Sequence, residues 1–277
     1  MSAAVFSIIL FAAVLHATWN AIVKIAPDKA MTATLVSACG ALISLAALPF
    51  LQQPAAASWP FLALSTVLQV TYYRLLGGAY RAADMSQVYP LMRGTAPLIV
   101  ALFTALFLGE RLSPFAWAGV LLVSGGVVGG ALAARGAGNG RGAAIALTNA
   151  VFIAGYTISD GIGVRASGSP AAYTMWLFVL TAIPLVTWSA VTRPEFPRYA
   201  LRNAWLGLAG GAGTLASYGL ALWGMTVAPV AVVAALRETS ILFAMAIAGL
   251  ILKERVGVAK LAGALAIAAG AIALRLA

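Results

Sequence analysis

Apolar residues occur in long runs along the whole chain, and only a few polar residues separate one run from the next. An α-helix rises 1.5 Å per residue, so roughly 20 apolar residues cross the hydrocarbon core of a bilayer. The pattern therefore predicts an all-α membrane protein with ten transmembrane helices joined by short loops. Their predicted bounds are 3–24, 31–51, 59–79, 85–109, 114–134, 142–163, 171–191, 203–224, 229–252 and 257–276.

The composition agrees with this pattern. Hydrophobic residues make up 62% of the 277 residues, charged residues make up 9%, and the mean hydropathy is +0.99. So few charged side chains do not cover a water-facing surface, which excludes a soluble globular domain of this size. The first apolar run contains His16, Trp19 and Asn20, and no basic residue precedes it. We therefore expect it to remain in the membrane as a helix and not to be cleaved as a signal peptide.

The charge of the chain is strongly basic, with a formal net charge of +10 and a pI near 10.3. The basic residues are dispersed over short loops and are not interleaved with aromatic residues, so we expect the lipid bilayer, and no nucleic acid, as a partner. The single cysteine, Cys39, excludes an internal disulfide and a thiol pair for redox or metal chemistry. We expect no metal and no cofactor.

The two halves of the chain share a pattern of charged residues. Adding 144 to the residue number, without a gap, matches three charged positions: Arg93 with Arg237, Glu110 with Glu254, and Arg111 with Arg255. Because charged residues are scarce in this chain, these matches indicate a repeat of five helices. The glycine-rich stretch RGAGNGR lies at the midpoint. We predict a first repeat at 1–134, a linker at 135–141 and a second repeat at 142–277.

An odd number of helices in each repeat gives the second repeat the opposite orientation to the first. Such inverted repeats are common in secondary transporters. Most lysines and arginines fall in the loops after helices 1, 3, 5, 7 and 9, and the positive-inside rule places these loops in the cytoplasm. We therefore expect a multi-pass protein of the inner (plasma) membrane with both termini on the periplasmic or extracellular side.

Several motifs carry a resemblance to a known family. Helix 1 contains HATWNAIVK, and GERLSPFAWAGVLLVSGGV of the first half is echoed by KERVGVAKLAGALAIAAGA in the second. With ten helices in a five-plus-five repeat, the chain resembles the drug/metabolite transporter superfamily, in particular its EamA-type ten-helix branch, which includes the YddG-like aromatic amino-acid exporters. The resemblance implies a transporter in which helices 1, 3, 4, 6, 8 and 9 surround a central cavity. The repeated Glu110 and Glu254 lie at predicted helix ends, where we expect them to bond to helix ends and loops.

Two arginines are predicted at matching depths in the membrane. Arg93 lies in helix 4 and Arg237 in helix 9. A charged side chain at the bilayer centre costs about 2.5–3.5 kcal/mol on insertion scales, so it normally faces protein or a watery cavity. We expect each arginine to border one end of a substrate pathway, where it attracts carboxylates or bonds to backbone carbonyls as that end closes. The alternative is that both reach towards the nearer membrane surface, with Arg237 neutralised by the adjacent Glu238 or another acid without touching substrate.

Polar and aromatic side chains share one face in each of two predicted helices. In helix 1, His16, Trp19 and Asn20 are spaced i, i+3 and i+4 and share one face. A similar stripe in helix 6 contains Asn149, Phe152, Tyr156, Ser159 and Asp160. Amide, imidazole and flat rings together suit a zwitterionic amino acid with a planar side chain, whereas hydrogen bonds between helices without ligand contact are the alternative. Helices 3 and 8, which the resemblance places at the cavity, add further candidates: Gln69, Tyr72, Tyr73, Tyr218 and Trp223.

Prolines and acids suggest where the chain moves. Pro90 and Pro97 interrupt the backbone donors of helix 4 and Pro229 begins helix 9, which suits either hinges or static kinks. Glu238 is a candidate gating residue beside Arg237. Proton coupling needs an acid within the membrane, and Glu238 and Asp160 are the candidates.

These features predict a secondary transporter that exports amino acids (aromatic and other small amino acids) or related small metabolites by alternating access. Alternatives are an exporter of amphipathic cations, drugs or nucleobase-like metabolites, and a channel or scramblase. An intramembrane enzyme is disfavoured because the chain lacks HExxH, an aspartate pair and an Asp-rich diphosphate-binding motif. Both repeats are in one chain, so a monomer is expected to suffice.

Overall fold

The structure is a computed structural model that describes residues 1–82, 85–133, 140–250 and 257–277. Most of the predicted linker at 135–141 lies outside the described residues, as do Glu254 and Arg255. Within the described ranges the chain is helical and contains no strand. Its α-helices are α1 (Ala3–Ile25), α2 (Lys29–Ala47), α3 (Trp59–Ala82), α4 (Met85–Phe107), α5 (Pro114–Ala133), α6 (Gly140–Ser167), α7 (Pro170–Thr192), α8 (Phe196–Arg202), α9 (Ala204–Val227), α10 (Val230–Arg237), α11 (Ser240–Leu250) and α12 (Val258–Leu276).

Seven helical segments of the described chain are long and apolar enough to cross a membrane. They are Ala3–Ile25, Lys29–Phe50, Val88–Phe107, Gly140–Ser167, Pro170–Thr192, Val230–Leu250 and Val258–Leu276, and Pro114–Gly130 is a shorter apolar helix. The helices α3 and α9 are 24 residues long but are not among them. The fold is therefore that of a multi-pass helical membrane protein, and the number of ten spans stays a prediction.

The helices of the two halves pack in a related way. The helix α3 packs against α6, and α1 packs against α9; a shift of 144 residues carries α3 onto α9 and α1 onto α6. The same shift relates the contact of α4 with α6 to the contact of α1 with α10 and α11. The most extensive contact joins α5 and α12, the last helix of each half. Corresponding helices of the two halves thus have corresponding neighbours.

Glycines allow α5 and α12 to approach closely. A Cβ atom on Gly126 would lie 2.7 Å from the carbonyl oxygen of Gly263, and one on Gly263 would lie 2.6 Å from the carbonyl oxygen of Gly126. Gly119 and Gly270 meet in the same way two helical turns away. A Cβ atom on Gly119 would lie 2.9 Å from the carbonyl oxygen of Gly270, and one on Gly270 would lie 2.8 Å from the carbonyl oxygen of Gly119. Only residues without a side chain fit at these positions, so backbone packs on backbone.

One predicted helix is interrupted in the structure. The sequence predicts a continuous helix at 229–252, but α10 ends at Arg237 and α11 begins at Ser240. Around the break, the amides of Glu238 and Thr239 donate to carbonyls three residues earlier, both at 3.0 Å, as in a 3₁₀-helix. The Thr239 hydroxyl also donates to the Leu236 carbonyl at 2.6 Å and so competes for a backbone acceptor.

Helix α4, in contrast, runs without interruption from Met85 to Phe107 although it contains Pro90 and Pro97. Pro229 lies at the N-cap of α10, before the first helical residue, where the missing amide costs nothing. The short helix α8 precedes α9 and is absent from the sequence prediction, because its seven residues carry no long apolar run.

Candidate functional site

A buried ion pair joins the two halves of the molecule. Arg93 in α4 and Glu238 at the break between α10 and α11 are 6% and 4% exposed. The Nη2 atom of Arg93 lies 2.7 Å from Oε1 of Glu238, and its Nε donates to Oε2 at 3.1 Å. This is the two-pronged geometry in which a guanidinium binds a carboxylate most strongly. Arg93 therefore faces protein, and its partner comes from the second half.

The second arginine has a different environment. Arg237 is 8% exposed, and its guanidinium carbon lies 4.7 Å from the centroid of the Tyr218 ring, a cation–π contact. Within the described ranges no carboxylate lies within 4 Å of Arg237. Of the acids that the sequence alternative allows for Arg237, the adjacent Glu238 pairs with Arg93 instead. Adjacent residues of a helix point in different directions, which favours the more distant partner.

Behind Tyr218 lies a buried carboxylate. Asp160 in α6 is completely buried, and the Tyr218 hydroxyl donates to its Oδ2 at 2.6 Å. The Tyr173 hydroxyl donates to Oδ1 at 3.1 Å and the Gln69 amide nitrogen to Oδ2 at 3.5 Å. Gly163 faces the Tyr173 hydroxyl, and a Cβ atom there would collide with it. The network joins α3, α6, α7 and α9.

A small cavity lies beside these charges. It has a volume of about 10 Å³ and is lined by Arg93, Arg237, Glu238 and Tyr156 together with Pro97 and apolar residues of α4, α6 and α10. A volume of about 10–15 Å³ holds one water molecule, whereas small-molecule sites typically enclose about 300–1,000 Å³. The cavity therefore has room for about one water molecule and not for a small-molecule ligand.

Aromatic candidates of α3 and α6 approach each other near this cavity. The rings of Tyr72 and Tyr156 are 5.9 Å apart in an edge-to-face arrangement, and Tyr73 lies 5.0 Å from Tyr72. Tyr156 is buried, whereas the side chain of Tyr73 is 40% exposed. Tyr156 and Tyr72 are therefore the rings of this set that flank the centre.

The other candidates have local partners. In α1, the indole nitrogen of Trp19 donates to Nδ1 of His16 at 3.3 Å and the Asn20 amide to the His16 carbonyl at 2.7 Å, so these hydrogen bonds stay within one helix and do not join two helices. Asn149 is fully buried and donates to the sulfur of Met92 at 3.4 Å, while its oxygen has no partner among the described residues.

No hydrogen bond, ion pair or ring contact in the described part of the chain joins Pro90 or Trp223 to the charged centre. Pro90 precedes Arg93 by three residues in α4 and is half-buried. Trp223 in α9 is half-buried, and no hydrogen bond or ring contact in the described part of the chain joins it to the other candidates.

A second cluster closes one end of the helix bundle. Glu110, after α4, accepts hydrogen bonds through Oε1 from Arg165 at 2.9 Å and from the Val230 amide at the start of α10 at 3.1 Å. Arg165 at the end of α6 also donates to the carbonyls of Met225 and Ala228 at 2.7 and 3.0 Å. The ends of α4, α6 and α9 are thus joined to the start of α10. Glu110 bonds to a helix end, as the sequence predicts.

The sequence places Asp160 on the stripe of Tyr156 in helix 6 and offers it as an acid for proton coupling. It does not identify the partners of Asp160, because Tyr218, Tyr173 and Gln69 lie on other helices. Among the described residues, no group of three His, Cys, Asp or Glu side chains is arranged to hold a metal ion.

Fold and site together define a multi-pass membrane protein with buried charges between two related helical halves. The EamA-like transporter family matches residues 4–130 and again residues 140–276, so the chain belongs to this family, within the drug/metabolite transporter superfamily. A solved crystal structure aligns with a TM-score of 0.74 and 20% sequence identity over 98% of this chain and 95% of the other. At that identity the likeness shows the fold alone. No curated protein matches the chain.

Membership of the family gives the coarse function, which is that of a membrane transporter of the drug/metabolite type.

Proposed function

We propose that the protein is a secondary transporter of the inner membrane that exports aromatic and other small amino acids, or related small metabolites, by alternating access. In this proposal ten helices form two inverted repeats around a central site, and both termini are periplasmic. The observation that supports it is the buried pair of Arg93 and Glu238, one from each half, beside a cavity of about 10 Å³. Opening either end of the bundle must rearrange this contact between the halves.

Arg237 supports a substrate with a carboxylate. In the described part of the chain it is a buried cation without a carboxylate partner, held only against the ring of Tyr218. Burial makes an unpaired charge costly, so a substrate carboxylate that binds there replaces missing hydration. Tyr156, Tyr72 and Tyr218 add flat faces on which a planar side chain can stack.

Two contacts that hold the helices together support alternating access. The cluster of Glu110 and Arg165 closes the end where α10 begins, which in the proposed orientation is the periplasmic end. The 3₁₀ segment at Glu238 and Thr239 provides a point at which α10 can move relative to α11, because interruptions of this kind often act as hinges. Release of substrate then requires the Glu110 cluster to separate while Arg93 and Glu238 rearrange.

Counterflow tests the proposal. Purified protein in liposomes loaded with an unlabelled amino acid should accumulate the labelled amino acid transiently and saturably, and Arg237→Gln should reduce the rate strongly. Arg193→Gln is the matched control, since Arg193 pairs with Asp28 in a half-exposed bridge of 3.4 Å outside the site. The proposal is wrong if no amino acid supports counterflow while amphipathic cations or nucleobases do, or if flux is unsaturable as in a channel.

A further inference from the structure

Two buried charges of opposite sign lie on either side of one tyrosine. The ring of Tyr218 contacts the guanidinium of Arg237 at 4.7 Å, and its hydroxyl donates to Asp160 at 2.6 Å. Both charged residues are at least nine-tenths buried, at 8% and 0% exposure. Tyr218 itself is only half-buried. The side chain that separates the two charges is thus less buried than either of them.

Neither charge has an ion-pair partner within 4 Å in the described ranges. Arg93 and Glu238 neutralise each other, which leaves Arg237 and Asp160 as the uncompensated pair of the central cluster. The four formal charges sum to zero, so a ligand without net charge keeps the buried cluster neutral, whereas a free anion or cation adds a charge in a medium where charge is costly. Charge balance therefore favours a zwitterion.

Asp160 lies on the face of α6 that lines the cavity. Tyr156 and Thr157 line the cavity, and Asp160 follows them by four and three residues on the same face of α6. Its donors, Tyr218, Tyr173, Gln69 and Ser65, are all neutral. An asparagine could accept similar hydrogen bonds at a lower insertion cost than a carboxylate, so a purely structural role does not explain the charge.

We propose that Asp160 binds the ammonium group, and Arg237 the carboxylate, of a zwitterionic amino acid in a subsite that Tyr218 occupies when the protein is closed. This inference rests on the proposed function and deepens it, since it names the substrate class and the residue that reads the amino group. Displacement of Tyr218 exchanges a cation–π contact and one hydrogen bond for two charge-assisted contacts with the substrate.

Competition in counterflow between three probes tests the assignment. Phenylalanine is compared with 3-phenylpropionate, which lacks the amino group, and with 2-phenylethylamine, which lacks the carboxylate. The wild type should prefer phenylalanine to both analogues. Asp160→Asn should weaken the binding of phenylalanine roughly tenfold to a hundredfold, which is the range for one hydrogen bond to a charged group. The binding of 3-phenylpropionate should stay nearly unchanged. Arg237→Gln should remove the preference over 2-phenylethylamine instead.

Two further variants separate binding from structure. Tyr173→Phe removes the other phenolic donor of Asp160 and should affect all three probes alike. Tyr218→Phe keeps a ring against Arg237 but frees the Asp160 oxygen, so it should keep the preference and bind phenylalanine more tightly than the wild type. Tighter binding in Tyr218→Phe is the opposite of the effect expected if Tyr218 only stabilises the structure, so this variant tests the inference even if Asp160→Asn fails to fold.

The outcomes that contradict the inference are distinct from those that contradict the proposed function. Two outcomes would show that Asp160 does not bind the amino group in a wild type that transports amino acids. In one, Asp160→Asn keeps the full preference for phenylalanine over 3-phenylpropionate. In the other, Tyr173→Phe loses that preference to the same extent as Asp160→Asn. If Asp160→Asn alters only the response to a pH gradient, the carboxylate carries a proton, and the inference is also wrong. If the wild type transports no amino acid at all, the proposed function itself fails.

Discussion

The pair of Arg93 and Glu238 gives the sharpest prediction about how the two halves are held together. Arg93→Gln leaves a buried carboxylate without its cation, and Glu238→Gln leaves a buried guanidinium without its anion. The side chains are 7% and 5% exposed and meet through two contacts of 2.7 and 3.1 Å, so solvent gives little compensation. Each single substitution should therefore destabilise the protein, whereas the double substitution Arg93→Gln with Glu238→Gln leaves no unpaired charge.

The expected size follows from the burial. Removing one partner of a buried ion pair costs about 3–5 kcal/mol, while replacing both partners by neutral groups is often close to neutral. In a domain of roughly this size, 1 kcal/mol changes the melting temperature by about 2–4 °C. A loss of about 3 kcal/mol thus lowers it by roughly 6–12 °C in each single variant. The double variant should recover most of that loss.

The chain provides its own probe for this measurement. Cys39 is the sole cysteine and is buried at the contact of α2 with α9, where a Cβ atom on Gly207 would lie 2.8 Å from its sulfur. A thiol-reactive fluorescent dye should therefore react only when the protein unfolds, and its signal on heating gives the melting temperature of each purified variant. Membrane insertion and counterflow are measured in parallel. We expect normal insertion and reduced counterflow for Arg93→Gln.

Two results would refute the reasoning. Single variants that melt within about 2 °C of the wild type would show that the pair contributes little to stability. A double variant destabilised by the sum of both single effects would show that the two side chains act independently, since coupled residues deviate from additivity.

Three further predictions concern other parts of the molecule. Gly126→Val should lower the free energy of unfolding by about 1–3 kcal/mol, because its Cβ meets a carbonyl oxygen of α12 at 2.7 Å, while Gly125→Val, with open space around it, should change the melting temperature little. Arg165→Gln removes the hydrogen-bond donor that joins α6 to the carbonyl of the buried Ala228. In a Cys39→Ala background, the cysteine of Ala228→Cys should therefore react with a thiol reagent faster when Arg165→Gln is also present than when it is not. Equal labelling rates would contradict the role of Arg165 in holding this end together. Tyr156→Leu should weaken the binding of aromatic substrates about twofold to tenfold more than Tyr156→Phe does, as measured by competition in counterflow. Equal binding in the two variants would argue against stacking on Tyr156.

Sequence reasoning predicted the helices well because a bilayer imposes one length and one polarity on each of them. The predicted ends at 24 and 191, for example, fall one residue from the observed ends at Ile25 and Thr192. The interruption after Arg237 was missed, since it depends on hydrogen bonds of Thr239 and not on hydropathy. Pro90 and Pro97, the residues from which a distortion was expected, lie within a continuous helix.

The site was less accessible to sequence reasoning than the helices. An arginine within an apolar run is conspicuous, so Arg93 and Arg237 were found. Their partners were not, because Glu238 binds a residue 145 positions away in the chain, and only the packing of α4 against α10 brings them together. The adjacent Arg237 was the natural guess from the sequence. Asp160 was noticed as an acid, but its contact with Tyr218 requires knowledge of how α6 packs on α9.

At the buried centre the two halves match in their arginines, Arg93 and Arg237, but not in the glutamate that follows Arg237, and this difference has a structural cause. The position that corresponds to Glu238 in the first half is Gly94, and a Cβ atom there would lie 2.6 Å from Val128 of α5. Because α5 packs so closely on α4, this position has no room for a side chain, and the cluster contains one glutamate for two arginines. Arg93 takes it, so Arg237 is left with the ring of Tyr218. The departure from symmetry, and not the repeat itself, leaves the buried cation at which we propose that a substrate carboxylate binds.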